Sequence, residues 1–316
     1  MARLIYKIAP VTDTPAIVVR RLTKSYGPVE ALRGLDLDVQ RGDIFGFLGP
    51  NGAGKTTTIR CLLDLIRPDG GTARVLGLDP QADPVAVRAR VGYLPGELHL
   101  EDNLTGRKIL RYFSALRKRK VEWGIVHSLA ERLHLDLDRP VKNLSKGNKQ
   151  KIGLVQALMH RPGLLLLDEP TSGLDPLVQQ EVLALIREAK ADGTTVFFCS
   201  HIMSEVEAVA ERVGIIRQGR LVEVADTAAL IDRALHHVKV RFQAPADGNA
   251  LDGVPGVTVL AHDDAQNFTL QVEGEMDGLI KALAAFPVIS LETTRPTLED
   301  VFLAYYQADD VAAEDT

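Results

Sequence analysis

The 316-residue chain contains only two cysteines, Cys61 and Cys199, each in apolar surroundings (CLLDLI and TVFFCS). So few thiols exclude a disulfide-stapled secreted scaffold and fit buried residues in a reducing compartment. Long apolar runs are also missing. No window approaches the roughly 18 consecutive apolar residues that a membrane-spanning helix requires. The opening MARLIYKIAP has no apolar core of signal-peptide length. Nor is there an excess of one charge: 37 Lys and Arg stand against 42 Asp and Glu, a formal net charge of −5. No global field draws the chain to nucleic acid or to an anionic membrane, so any such contact must be local. There is no internal repeat. What the chain does have is 46% hydrophobic residues, ample for a packed core and for more than one domain.

β-rich segments come first: AIVVRRL at 16–22, then LDLDV and GDIFGFLG, separated by turn residues. From Lys55 onward short apolar strands alternate with helices. TIRCLLDLI reads as a helix and VGYL as a strand; LVQALMH is helical and LLLLDE a strand. PLVQQEVLALIREAK and EVEAVAERV then read as helices flanking the strand TTVFFCS, and VGIIRQG as the last strand. That rhythm predicts an α/β fold of parallel βαβ units with both faces of the sheet covered. It breaks between Asn103 and His134, where LTGRKILRYFSALRK and VEWGIVHSLAERL predict a helical insertion. After about residue 236 the pattern changes again, to HVKVRFQA, VTVLAH, NFTLQVE, DGLIKALAAF, VISLETT and TLEDVFLAYY. Three or four strands with two helices predict a small separate α+β domain. The expected division is 1–235, 236–307 and an acidic tail at 308–316. The run RKRK at 117–120 reads first as a solvated helix face, and otherwise as a local docking patch for a membrane subunit, lipid headgroups or nucleic acid.

Gly49, Pro50, Asn51, Gly52, Ala53, Gly54, Lys55 and Thr56 match G-x-x-x-x-G-K-[ST], between the strand IFGFL and the helix TTTIRCLLDLI, with Thr57 beside them as a further nucleotide-binding residue. Such a loop points backbone N–H groups at a triphosphate and presents a helix N-terminus to the same charge. Lys55 then neutralises the β- and γ-phosphates, and Thr56 offers a hydroxyl to Mg²⁺. The second motif, LLLLDEPTSGLD, ends an apolar strand in Asp168 and Glu169, at the carboxyl end where open α/β sheets bind ligands. Asp168 is placed to hold the metal through water, and Glu169 to orient or deprotonate attacking water. Two further segments read as helix starts: Ser145 caps the helix through KIGLVQALMH, and Asp175 caps one with Pro176 at its first position.

Taken in order, the phosphate loop, LSKGN, LLLLDEP, SGLD and the histidine in FFCSHIMSEVE resemble the motifs of ATP-binding cassette ATPases over roughly residues 16–235. The resemblance implies a P-loop NTPase fold with a mixed sheet, an N-terminal antiparallel β segment and a helical subdomain at about 97–160. It implies ATP and Mg²⁺ as ligands, and a sandwich dimer with a second copy or a homologous cassette. In that dimer the signature stretch Leu144, Ser145, Lys146, Gly147 and Asn148 closes over the γ-phosphate of the partner, and Ser172, Gly173, Leu174 and Asp175 form the loop that meets it. Tyr26 matches the aromatic residue on which adenine stacks, and His201 the switch histidine that contacts the γ-phosphate.

Three positions depart from the family pattern. Lys146 and Asn148 stand where the signature has Gly and Gln, and the Gln expected after VGYLP is absent, with Gly96 and Glu97 in its place. Either Glu97 takes over the metal or water contact of that Gln, or the role is lost in this chain. Without a spanning segment, transport requires a separately encoded membrane permease, which places the chain at the cytoplasmic face of the membrane. PTLEDVFLAYY resembles the ending of cassettes in ABC-2-type multidrug, antibiotic and polysaccharide exporters, so export is favoured over import. The other reading is a soluble cassette ATPase acting on ribosomes or DNA. Those relatives carry two cassettes or a long coiled-coil insertion, whereas this chain has one phosphate loop, and no nucleic-acid partner is expected.

Overall fold

The computed structural model describes residues 14–117, 121–232, 236–245, 251, 253–264, 266–273, 276–294 and 297–302. The opening MARLIYKIAP, residues 118–120 of RKRK, the end of TLEDVFLAYY and the acidic tail lie outside them. The chain divides into two compact units, 1–224 and 225–316.

The first unit carries two sheets. β1 (Ile17–Tyr26) pairs antiparallel with β2 (Val29–Val39) on one side and with β4 (Gly70–Val75) on the other, giving the order β2-β1-β4. β4 is a strand that the sequence pattern did not announce. Its glycines and alternating exposure suit a short strand with one wet face rather than an apolar run. The second sheet has the order β5-β6-β7-β3-β8-β9, built from β3 (Ile44–Leu48), β5 (Val91–Leu94), β6 (Leu164–Asp168), β7 (Thr195–Ser200), β8 (Arg212–Arg217) and β9 (Arg220–Asp226). Pairings β5/β6, β6/β7, β7/β3 and β3/β8 are all parallel. Every residue of β3, β6 and β7 is buried, which explains their unbroken apolar sequences. Phe197 of β7 stacks on Phe45 of β3, with ring centroids 5.8 Å apart, and packs against Phe47 at 5.1 Å.

Helices α1 (Lys55–Leu62), α2 (Pro84–Arg90), α5 (Lys146–Leu158), α6 (Pro176–Ala191) and α7 (Met203–Val209) connect the strands, while α3 (Gly106–Ala115) and α4 (Trp123–Arg132) form the helical insertion. Two helix ends fall short of the sequence expectation: TIRCLLDLI stops being helical at Leu62, and the second end lies in α7. EVEAVAERV reads as helix throughout, but α7 stops at Val209, Ala210 is extended, and Arg212 and Val213 pair with Phe45 and Gly46. The need to complete the sheet overrides helical propensity there. Both cysteines are free and buried, and burial pushes the Cys61 thiol up to about 11. No helix among the described residues is long and apolar enough to cross a membrane.

In the second unit α8 (Thr227–Asp232) precedes β10 (His236–Phe242), β11 (Val257–Asp264), β12 (Asn267–Val272), α9 (Asp277–Leu283) and β13 (Val288–Thr294). The four strands pair antiparallel in the order β11-β12-β10-β13, over a core that includes Val240, Phe242, Leu270 and Leu279. Its order places the first and third strands at the centre.

Because Phe197 is fully buried between two other rings, Phe197→Ala should lower the unfolding free energy of the first unit by about 3–5 kcal/mol. A shift of the urea midpoint with an unchanged denaturant slope would confirm a packing loss. An unaltered midpoint would contradict the assignment of this cluster to the core.

Candidate nucleotide site

The glycine-rich loop leaves β3 at Leu48 and enters α1 at Lys55. Gly54, the helix cap, has φ 112°, and a Cβ there would lie 2.7 Å from the Ala31 carbonyl, so only glycine fits this turn. Ala53 donates its N–H to Pro50 O at 3.2 Å and accepts from Gly219 N–H at 3.0 Å, which anchors the loop from behind. Lys55 is 6% exposed, and its ammonium donates to the carbonyls of Gly49 and Pro50. The loop encloses a cleft of about 160 Å³ lined by Pro50, Asn51, Gly52, Gly54, Lys55, Thr56, Thr57, Asp168 and Glu169. Gly49 and Ala53 stand behind that lining.

Parallel pairing of β6 with β7 delivers the acids to the same cleft. Thr56 Oγ1 donates to Asp168 Oδ2 at 2.7 Å, and Asp168 Oδ1 is buried with no partner among the described residues. Burial pushes the Asp168 carboxyl above the usual carboxylate range, against the opposing pull of Thr56, Lys55, Arg60 and the Gly96 backbone N–H. Glu169 has a left-handed backbone, φ 52°, and its N–H is tied to Cys199 O at 3.0 Å. Its side chain lies between two cationic or proton-bearing groups. Oε2 is 2.7 Å from His201 Nδ1, and Oε1 is 3.8 Å from Lys55 Nζ. Five residues distant in sequence thus share one small volume: Lys55, Thr56, Asp168, Glu169 and His201.

The remaining expected residues are not in the cleft wall. Ser145 caps α5 by accepting from Asn148 N–H at 3.3 Å, and Asp175 caps α6 by accepting from Val178 N–H at 3.1 Å, with Pro176 following. Leu144 and Leu174 are buried. Gly147 packs directly on the turn after the acids: a Cβ at 147 would lie 2.4 Å from the Gly173 carbonyl. Lys146 donates to Ser172 Oγ at 3.3 Å and lays its stem against Gly173. Tyr26 ends β1 with 45% of its surface exposed, under the Lys24 ammonium at 5.8 Å. Glu97 is exposed, one residue beyond the Gly96 N–H that faces Asp168.

A family model described as ABC transporter matches residues 32–172. A daunorubicin/doxorubicin resistance ATP-binding protein from Streptomyces peucetius is 33% identical, over 96% of this chain and 96% of its own length. The chain belongs to the ATP-binding cassette family. A bacitracin transport ATP-binding protein from Bacillus licheniformis is 39% identical over 89% of this cassette chain and 94% of its own. Among solved structures, an ATP-binding subunit of an ABC transporter is 28% identical, with TM-score 0.63, over 68% of this chain and 91% of its own. A dimeric cassette bound to ADP and Pi shares the fold at 20% identity, with TM-score 0.61, over 66% of this chain and 98% of its own. The chain is accordingly an ABC ATPase that binds ATP.

Gln150 is a site residue that motif reading passed over. It is buried in α5, and its Nε2 donates to Glu169 O at 3.0 Å and to Pro170 O at 3.5 Å. A signal was present: Gln150 falls on the same helical face as Gly147 and Leu154, both buried. A polar residue on a buried face needs a partner, and here that partner is the backbone beside the acids.

Asp168 titrates abnormally in a direction that can be tested. Its folded-state pKa lies above the unfolded value, so the folded state holds the proton more tightly and stability falls as pH rises through that interval. Without nucleotide, Asp168→Asn should therefore raise Tm at neutral pH. The gain should shrink as pH falls below the unfolded carboxyl value. Equal melting of both proteins at every pH would show that Asp168 carries no desolvation penalty.

Proposed function

We propose that this cassette powers an exporter, working with a separate integral-membrane permease and closing as an ATP sandwich with a second copy of itself or a homologous cassette. The export assignment is supported by relatives named for daunorubicin/doxorubicin resistance, for bacitracin transport and for Nod factor export, the last 39% identical over 68% of this chain. An exposed apolar set, Val85, Tyr112 and Leu116, offers a docking surface for such a permease. Arg117 links the two helices that carry it, donating to Ala89 O at 3.5 Å. The chain would then work at the cytoplasmic face of the membrane.

The observation that carries the hydrolytic part is the setting of Glu169 between His201 and Lys55. On ATP binding, Lys55 exchanges the loop carbonyls for phosphate oxygens, and the loop N–H groups complete the cradle. Thr56 Oγ1 and the unpartnered Asp168 Oδ1 suit a hard cation that prefers oxygen ligands, and they are the residues that would hold Mg²⁺. The ion, when bound, neutralises charge that develops on the phosphates. Glu169 orients the attacking water and accepts its proton, and His201, hydrogen-bonded to Glu169, keeps that carboxylate aimed at the γ-phosphate. Tyr26 provides a face for adenine. Glu97 is the candidate for the metal or water contact that the family's Gln makes. Ser145, Lys146, Gly147 and Asn148 lie outside the wall of their own cleft, as a segment serving the partner's nucleotide must. The turn Ser172–Asp175 joins them at the dimer face.

Glu169→Gln should bind MgATP normally yet turn it over barely, since losing the water-orienting carboxylate removes several kcal/mol of barrier stabilisation, of the order of 3. Closed dimer should then accumulate, visible as an ATP-dependent doubling of mass. Adding Ser145→Arg should abolish that doubling while ATP affinity, followed by titration, stays unchanged. A double variant that dimerises as well as Glu169→Gln alone would reduce Ser145 to a helix cap.

Glu97→Ala should slow ATP hydrolysis more than Glu101→Ala, a nearby acidic control outside every motif. Identical rates for the two variants would leave Glu97 as surface charge.

A further inference from the structure

Glu205 has no part in the chemistry above, yet it is buried directly behind it. It lies in the first turn of α7 and is 6% exposed. Its Oε2 accepts a 3.1 Å hydrogen bond from Ser200 Oγ, while Oε1 has no partner among the described residues. Ser200 is fully buried, and its oxygen also accepts from the Ile202 N–H at 2.9 Å. The hydroxyl therefore brackets His201, attached to the residue before it and holding the backbone of the residue after it. A serine hydroxyl has one hydrogen. Giving that hydrogen to Glu205 leaves a lone pair facing Ile202, so the carboxylate fixes the rotor and, with it, the turn that aims the imidazole.

Burial pushes the Glu205 carboxyl above the usual carboxylate range, and the Glu169 charge acts in the same sense, against the opposing pull of Thr171, Ser200 and His201. An acid in the first turn of a helix is also favoured by the helix dipole, but that effect is small and available to an exposed side chain. It does not account for a buried carboxyl with an unfilled oxygen.

We propose that Glu205 is a positioning residue that holds His201 against Glu169 through Ser200. The proposal rests on the role of His201 in hydrolysis given above, and the test separates the two. Steady-state ATP hydrolysis by the full chain is measured for Glu205→Ala, Glu205→Gln, His201→Ala and the double variant Glu205→Ala/His201→Ala, with thermal melting in parallel. Glu205→Ala should lower kcat roughly tenfold or more while KM for MgATP stays within about threefold. Glu205→Gln, which still accepts from Ser200, should recover most of that loss. In the His201→Ala background, Glu205→Ala should have no further effect on kcat, because it acts through the missing ring.

Wild-type turnover in Glu205→Ala beside an impaired His201→Ala would overturn the proposal and leave the histidine's role standing. Losses that multiply in the double variant would also overturn it. A His201→Ala protein with wild-type kcat would remove the histidine from hydrolysis and the proposal with it. If Glu205→Ala does not fold, Ser200→Ala carries the same expectation, and wild-type kcat in that variant would count against the proposal.

Discussion

Parallel hydrogen bonding among β3, β6 and β7 sets the level at which three distant segments leave the sheet. Asp168 is paired with Cys199, and Leu48 with Ser200, so the phosphate loop, the acid pair and the histidine all depart from one edge within a residue of each other. A slip of one residue in either pairing would carry a carboxylate into the apolar layer and turn its neighbours over. The buried phenylalanines of β3 and β7 oppose such a slip, because it would break the packing of Phe197 against Phe45 and Phe47. Chemistry at the edge is thus fixed by packing at the centre.

That arrangement places costly or provisional contacts side by side in the cleft. Asp168 is buried with one oxygen unpartnered, Glu169 is held in a left-handed backbone conformation, and the Lys55 ammonium is occupied by carbonyls of its own loop. Each is unfavourable or provisional alone, and together they describe a cradle whose charges await a polyanion and a cation.

Much of this was legible in the sequence where the physics is local. A glycine-rich loop between a strand and a helix has few other uses, and four leucines ending in two acids announce a buried strand with a functional end. Ser145 and Asp175 were readable as caps because capping depends on three or four adjacent residues. What escaped depends on partners far along the chain. β4 has no apolar signature because one of its faces is wet, and α7 ends early because β8 must pair with β3. Gln150 and Glu205 look like ordinary polar helix residues until the fold buries them against backbone and hydroxyl groups contributed by other elements. Signature residues, for the opposite reason, cannot be judged by one chain's cleft, since their expected ligand belongs to another molecule.

The contact between Gly147 and the Gly173 carbonyl leaves no room for even a methyl group. The first turn of α5 and the turn after the acids are therefore constrained to vary as a single unit. An alanine at 147 requires the turn at 173 to be re-routed, so a change in either segment disturbs both. Lys146 belongs to the same pinch, since its stem lies against Gly173.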